Sequence, residues 1–170
     1  MTIKNFEFKA KVPATEKYEA MISTFNPVYV GLDRQIDTYF NVPNGRLKLR
    51  EGNIENALIN YERADIAGAK KSEIILYEHQ PSQALKDILS KQLGVKVIVD
   101  KKRKIYRIGN VKFHFDQVER LGTFIEVEAI DTRGQFTLKE LQDQCETYLT
   151  FFGLPKSSLV EKSYSDLLME

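Results

Sequence analysis

Between residues 95 and 130 the chain passes through three stretches in which apolar and charged side chains alternate, with breaks at Gly109-Asn110 and around Leu121-Gly122. On the second stretch Val111, Phe113 and Phe115 take one parity, and Lys112, His114 and Asp116 the other. On the third, Ile125, Val127 and Ala129 oppose Glu126 and Glu128; on the first, Lys101 and Arg103 share a parity. Residues two apart on a strand project to the same face, so the pattern predicts a β-meander with one apolar and one ionic face. Taken alone, this alternation is also what a half-exposed sheet with a solvated face produces.

The rest of the chain repeats the theme. Residues 3–12 alternate, with Phe6, Phe8, Ala10 and Val12 against Asn5, Glu7, Lys9 and Lys11. Residues 14–25 carry Tyr18, Met21, Ile22 and Phe25 at helical spacing, with Thr15 as the expected N-cap. Residues 29–41 return to strand, with Gln35, Asp37 and Tyr39 on one face. After a turn at Pro43-Asn44-Gly45, Arg46, Lys48 and Arg50 alternate with Leu47 and Leu49. Three cations on one strand face repel one another, whereas a solvated face usually mixes signs, which favours an anion-binding role. Strands over 55–63 and 70–78 follow; the first sets Ala57, Ile59, Tyr61 and Arg63 on one parity, and the second groups Lys71 and Glu73 with Ile75 and Tyr77. A helix opens at Pro81 and stops at Gly94, with Leu85, Ile88, Leu89 and Leu93 as its apolar side. Another spans 137–152, where Thr137 and Glu140 form a capping box and Leu138, Leu141, Cys145, Tyr148 and Leu149 form the buried stripe. The remaining segment, with Leu159, Tyr164, Leu167 and Leu168, packs as a short helix.

Eight strand-like runs, mostly joined as hairpins, favour closure into an antiparallel barrel, which removes open edges. The apolar faces are needed to seat the helices, which leaves the ionic faces pointing inward. A bore lined by Lys, Arg and Glu cannot be a dry core, because an unpaired buried charge costs several kcal/mol. The expectation is a wet cavity whose cations take an anionic guest and whose carboxylates take a metal.

Composition narrows the options. The 170 residues suffice for one domain, read here as residues 1–170, and 42% hydrophobic with 29% charged residues fits a globular chain. A net charge of +1 gives no basic field for a nucleic-acid polymer. No apolar run approaches the ~20 residues that cross a bilayer, and a charged beginning argues against a signal peptide. Cys145 is the single cysteine, so no internal disulfide forms; it reads as a small buried residue. With only two histidines besides, a zinc site is disfavoured. These features together suggest a cytoplasmic protein.

In this order, Glu7-Phe8-Lys9, Gln35-Ile36-Asp37-Thr38-Tyr39-Phe40, Arg46-Leu47-Lys48-Leu49-Arg50, Tyr61-Glu62-Arg63, Lys101-Lys102-Arg103, the stretch from Asp116 to Gly122, Glu126-Val127-Glu128 and Lys162-Ser163-Tyr164 resemble the CYTH family of triphosphate tunnel metalloenzymes, and most closely its class IV adenylate cyclase-like branch. The resemblance covers nearly the whole length. It implies an α+β fold, an eight-stranded antiparallel barrel with helices packed outside. It implies that Lys9, Arg46, Lys48, Arg50, Lys101 and Arg103 hold a triphosphate, with Lys11, Arg63, Lys71, Lys112 and Lys162 extending that set. It implies that Glu7, Glu126 and Glu128, joined by Asp116, hold Mg²⁺ or Mn²⁺ and with Lys9 form the catalytic group. Hard divalent cations prefer oxygen ligands, and Arg forks suit phosphate oxygens, so the residue types agree with these roles. Asn5, Gln35, Asp37, Tyr39, Tyr61, Glu73 and His114 are expected as further lining. His114 reads as a lining residue paired with a carboxylate, with proton transfer as the second reading. The family signature Glu-x-Glu-x-Lys begins here with Asn5, which offers a carbonyl oxygen and no charge; a second metal site and full catalytic strength both depend on that position.

Three functions follow from such a tunnel. A nucleotidyl cyclase converts ATP to cyclic AMP and pyrophosphate. A triphosphatase hydrolyses inorganic triphosphate, thiamine triphosphate or a nucleotide. A non-catalytic module binds polyphosphate or nucleotide and turns nothing over. The likeness of residues 35–40 and 116–128 tilts the reading toward the cyclase, although no base pocket is evident from the residues. The expected partner is ATP or another triphosphate-bearing small molecule, with neither nucleic acid nor membrane; a homodimer is compatible with the resemblance.

Overall fold

The computed structural model describes the backbone of residues 2–63 and 70–170 and the side chains of residues 3–62 and 73–170. Eight strands run in chain order: β1 (Thr2–Lys11), β2 (Val28–Phe40), β3 (Arg46–Glu51), β4 (Ala57–Arg63), β5 (Lys70–Glu78), β6 (Val95–Ile108), β7 (Val111–Val118) and β8 (Gly122–Asp131). They close into a barrel in the order β1-β5-β4-β3-β2-β6-β7-β8, and every pairing is antiparallel. Four helices accompany them: α1 (Glu16–Ser23), α2 (Gln83–Leu93), α3 (Leu138–Phe152) and α4 (Tyr164–Leu168). No helix among the described residues is long and apolar enough to cross a membrane.

The outward faces of β1, β7 and β8 carry Phe8, Val111, Phe113, Phe115, Ile125, Val127 and Ala129. They pack against Ile22 of α1 and Leu141, Cys145 and Phe152 of α3 in one buried cluster. Thr137 caps α3 with the reciprocal bond to Glu140 that its sequence calls for. Leu138, at the start of that helix, lies outside the buried stripe at 36% exposure. At α1, Thr15 occupies the N-cap position but makes no side-chain cap bond; its hydroxyl donates to Glu19 instead.

Helix α2 departs from expectation. None of its residues is buried and Ile88 stands 59% exposed. The outer face of β5 is also uncovered, with Ile75 and Tyr77 exposed. Helices therefore seat on only part of the barrel wall.

The inside is not uniformly ionic. Tyr39, Ala57, Ile59, Tyr61, Val99, Val118, Phe124 and Tyr164 form a second buried cluster, flanked by Ile74 and Leu76. Part of this cluster is supplied by the segment after α3. Leu159 bridges to Ala10, the Val160 N–H donates to the Lys9 carbonyl at 2.9 Å, and Tyr164 stacks edge-on to Phe124. Through these contacts α4 closes the barrel end at which β1 finishes.

Candidate active site

Cross-strand register sets the charge pattern of the interior. Asp37 on β2 lies opposite Arg50 on β3, Arg103 on β6 opposite Asp116 on β7, His114 on β7 opposite Glu126 on β8, and Lys9 on β1 opposite Glu126 from the other side. Opposite charges placed directly across a sheet attract. Here the three pairs of charged groups are buried, so each attraction is stronger than at a surface, while His114 meets Glu126 through a hydrogen bond.

Two ionic clusters result. In the first, Arg50 grips Asp37 with Nε to Oδ1 at 2.9 Å and Nη2 to Oδ2 at 2.8 Å. Lys101 Nζ and Lys48 Nζ reach the same Oδ2 at 2.9 and 3.0 Å. Burial pushes the Asp37 carboxyl up, but the charges of Arg50, Lys101 and Lys48 outweigh it and hold the group well below the usual carboxylate range. In the second, Arg103 grips Asp116 with Nε to Oδ1 at 2.7 Å and Nη2 to Oδ2 at 2.6 Å, and Nη2 also reaches Glu126 Oε1 at 3.2 Å. The Tyr164 hydroxyl donates to Asp116 Oδ2 at 2.8 Å. Glu126 is held down by Arg103 against its burial. Burial and the charge of Arg103 lower His114, so its imidazole is neutral at pH 7 and Nδ1–H donates to Glu126 Oε1 at 3.2 Å. Lys9 is held more loosely: Nζ lies 3.7 Å from Glu126 Oε2, 3.5 Å from the Lys162 carbonyl and 4.2 Å above the Tyr164 ring.

These groups border a cavity of about 1040 Å³. The lining is charged along β3 and β6, with Lys48, Arg50, Lys101 and Arg103, and apolar along β4 and β5, with Ile59, Ile74 and Leu76; β1 and β8 contribute both kinds, Glu7, Lys9, Glu126 and Glu128 beside Ile3 and Ile130.

The CYTH domain signature matches residues 4–164. The chain belongs to the CYTH family. Its barrel is similar to the PH1012 protein of Pyrococcus horikoshii OT3 at 22% identity and TM-score 0.78, over 96% of this chain and 98% of that one. It is equally similar in fold to a candidate adenylate cyclase from Vibrio parahaemolyticus at 15% identity and TM-score 0.78, over 98% of each chain. A third similar structure is the candidate adenylyl cyclase HpAC1 from Hippeastrum, described as revealing a dominant triphosphatase activity, at 15% identity and TM-score 0.60, over 99% of this chain and 94% of that one. No curated protein matches the chain by sequence.

Within the CYTH barrel most expected residues converge. Lys9, Lys48, Arg50, Lys101, Arg103, Lys112, Tyr39, Tyr61, His114, Glu7, Glu126 and Glu128 all line the cavity. Asn5, Gln35 and Asp37 lie behind that layer, fully or almost fully buried. Arg46 stands at the α4 end, where Nη2 donates to Asp166 at 2.7 Å. Lys11 shares the inward parity but is exposed at the rim, 5.8 Å from the Phe124 ring centroid. Two expectations are corrected. Glu73 is exposed on the outer face of β5, because Ile3 pairs with Ile74 and that register turns 74 and 76 inward. The Lys162 ammonium lies at the surface beside Glu170, and only its carbonyl faces Lys9. Arg63 and Lys71 have side chains outside the described residues.

Three contributors escaped the alternation pattern. Tyr164 and Asp166 belong to a short helix whose docking no periodicity predicts. The sequence predicts a strand that opens at Glu55, but β4 begins at Ala57 and Glu55 sits in the β3–β4 connection, where the loop and not strand parity places its carboxylate. It accepts from Arg50 Nη1 at 3.1 Å and from Lys112 Nζ at 2.9 Å.

Lys101 gives a pH-dependent prediction. Burial pulls its ammonium down to about 7 from the ordinary 10.5; Asp37 opposes this, while Arg50, Arg103 and Lys48 add to it. A bound polyanion raises that value, so tripolyphosphate binding at neutral pH should take up protons, seen as a binding enthalpy that varies with buffer ionisation heat. The uptake should shrink in Lys101→Met, and an unchanged buffer dependence would count against Lys101 as its source. The sign for stability follows from proton counting. Between about pH 7 and 10.5 the unfolded chain holds this proton more often than the folded one, so this group's contribution to stability rises with pH across that window. Lys101→Met should flatten the rise in denaturant titrations.

Proposed function

We propose that the tunnel is the active site of a metal-dependent enzyme acting on an organic triphosphate, with conversion of ATP to cyclic AMP and pyrophosphate as the first reading. The observation that carries it is the two-sided cavity. A wall of buried cations suits phosphate oxygens. The apolar wall of Ile59, Ile74 and Leu76 on β4 and β5, across the barrel from β6, suits a nucleobase or another organic group, which inorganic triphosphate lacks. About 1040 Å³ is also at the upper end of sites for drug-sized organic ligands.

In the cyclase reaction the ribose 3′-oxygen bonds to the α-phosphorus, the α–β bridging bond breaks, and pyrophosphate leaves. Lys9, Lys101 and Arg103 offer positive charge where phosphoryl oxygens lie. Asp116 fixes the Arg103 guanidinium through two parallel bonds and is itself capped by Tyr164, so we assign Asp116 to positioning Arg103 rather than to a metal.

The donor set for a divalent cation passes a chemical test in part. Among the described residues no three carboxylate, histidine or cysteine groups stand gathered for a metal. Yet Glu7 and Glu128 face each other across β1 and β8, and Asn5 Nδ2 donates to Glu128 at 2.6 Å while its buried Oδ1 has no hydrogen-bond partner among the described residues. Oxygen donors of this kind suit Mg²⁺ or Mn²⁺ shared between one or two carboxylates and substrate phosphates. Glu7, Glu126 and Glu128 would hold it, and it would supply charge neutralisation at the reacting phosphoryl group.

Hydrolysis is the second reading. It is favoured by the similar Hippeastrum protein with its dominant triphosphatase activity, and the same residues serve with water as the nucleophile at the γ-phosphorus. A binding module without turnover is the third, favoured by Asn5 and by carboxylates already paired with cations.

The test is a product assay with ATP, inorganic triphosphate and thiamine triphosphate, each with Mg²⁺ and with Mn²⁺. Cyclic AMP from ATP is the expected product. Orthophosphate with the matching diphosphate (ADP, pyrophosphate or thiamine diphosphate) and no cyclic AMP moves the assignment to triphosphatase, and no product from any pair moves it to the binding module. In all three cases a triphosphate should raise the melting temperature, since a ligand at a hundredfold excess over Kd adds about 2.7 kcal/mol. An unshifted melting curve with every triphosphate would remove the tunnel site altogether.

A further inference from the structure

The connection between β3 and β4 is built around one buried carboxylate. Asp33 is fully buried on β2; its Oδ1 accepts from the Ile54 N–H and its Oδ2 from the Glu55 N–H, both at 2.9 Å. The loop passes so closely that a Cβ at Gly52 would lie 2.6 Å from Asp33 Oδ1. Asn56 ties the loop to itself, accepting from the Gly52 N–H at 3.0 Å and donating to its carbonyl at 2.9 Å. The backbone of Glu55 is therefore fixed, and its side chain is aimed into the bore.

There its carboxylate joins two cations from opposite parts of the wall. Oε2 accepts from Arg50 on β3 at 3.1 Å, and Oε1 from Lys112 on β7 at 2.9 Å. In the barrel order β3 and β7 are separated by β2 and β6, so Arg50–Glu55–Lys112 is a chord across the bore rather than a contact along its wall. Arg50 already carries Asp37 on its other edge. At this end, opposite the one that α4 closes, the positive charge is thus matched by fixed carboxylates.

We propose that Glu55 is a specificity-determining residue: a fixed anionic stop that ends the cationic track and sets how many phosphates the tunnel accepts. The proposal rests on the triphosphate reading above and deepens it. A phosphate chain lies along Lys9, Arg103 and Lys101. One more phosphate would have to occupy the place of the Glu55 carboxylate, at the same two cations and against its charge. Like charge placed at a binding site discriminates by repulsion, without any added attraction for the accepted ligand.

The experiment measures metal-free binding of pyrophosphate, tripolyphosphate and tetrapolyphosphate by calorimetry with a chelator present, for the wild type, Glu55→Gln and Glu55→Asp. Glutamine keeps the shape and removes the charge; aspartate keeps the charge. Glu55→Gln should tighten tetrapolyphosphate by at least about tenfold relative to tripolyphosphate, while Glu55→Asp should keep the wild-type ratio. Equal tightening of all three anions would make Glu55 a general competitor and overturn the length stop. Equal weakening with a lowered melting temperature would make it a brace and overturn it too. So would Glu55→Asp behaving like Glu55→Gln. A wild type that binds tripolyphosphate with no change of ratio in Glu55→Gln removes only this proposal. A wild type that binds none of the anions removes the triphosphate reading along with it.

Discussion

Replacing Glu126 and Glu128 together with glutamine should lower metal-dependent turnover by about a thousandfold or more while leaving the barrel folded. The two side chains project two residues apart from β8 into the cavity. Glu126 also accepts from Arg103 and from His114, and glutamine can still accept through its amide oxygen, so the local bonds survive the substitution. What is lost is charge. If those charges served only to balance Arg103 and Lys9, their removal would make the tunnel more basic and metal-free tripolyphosphate would bind more tightly, with turnover preserved. If they hold the cation, turnover falls while metal-free binding stays equal or strengthens. The measurement is turnover and tripolyphosphate affinity, with and without Mn²⁺, for both proteins. Wild-type turnover in the double variant would remove these residues from the mechanism.

Asp37→Asn should destabilise the fold by about 3–5 kcal/mol, the usual cost of removing one partner from a buried ion pair. Arg50, Lys48 and Lys101 all converge on this carboxylate, which is 1% exposed. Without its charge, Arg50 and Lys48 face each other with little water to screen them, and Lys101, whose ammonium Asp37 helps to keep charged, is driven to give up its proton. For a chain of this length the loss corresponds to a fall of about 10 °C in melting temperature. Tripolyphosphate should recover much of that loss and bind the variant more tightly, because the polyanion replaces the missing charge. A loss under about 1 kcal/mol would show that solvent already screens this cluster.

The two sites of largest effect were legible for the same reason. On β2, β3, β7 and β8 charged and apolar positions alternate, so parity alone groups Asp37, Lys48, Arg50, Glu126 and Glu128 apart from the apolar residues between them; on β6 the run Lys101-Lys102-Arg103-Lys104 is cationic on both faces, and parity alone does not choose the inward pair. Legibility fails where alternation does. In β5 the run Ile74-Ile75-Leu76 is apolar on both faces, and only pairing with β1 decides which face is inside; a slip of one residue exchanges the two, and Glu73 was placed wrongly for that reason. The interior face of β4, with Ala57, Ile59 and Tyr61, could be grouped from the sequence but not recognised as cavity wall, because apolar residues inside a barrel look like those under a helix. Glu55 lies in a loop, and the energetic sense of its charge emerges only when Lys112 arrives from across the bore. The exposed Ile88 of α2 reflects the converse limit: a helical stripe states a capacity to bury, and the neighbouring wall decides whether burial occurs.

Barrel closure also sets a schedule. The first strand pairs on one edge with β5 and on the other with β8, so Lys9 meets Glu126 only after most of the chain is available. During synthesis β1 emerges long before either partner, and its amides wait with no sheet to join. Contacts this distant in sequence carry a large loop-closure cost and belong to chains that fold in milliseconds to seconds rather than microseconds. The tunnel cavity, closed at that seam, is therefore among the last features to exist. In pulsed hydrogen exchange during refolding, β1 amides should gain protection together with those of β8, and never ahead of them.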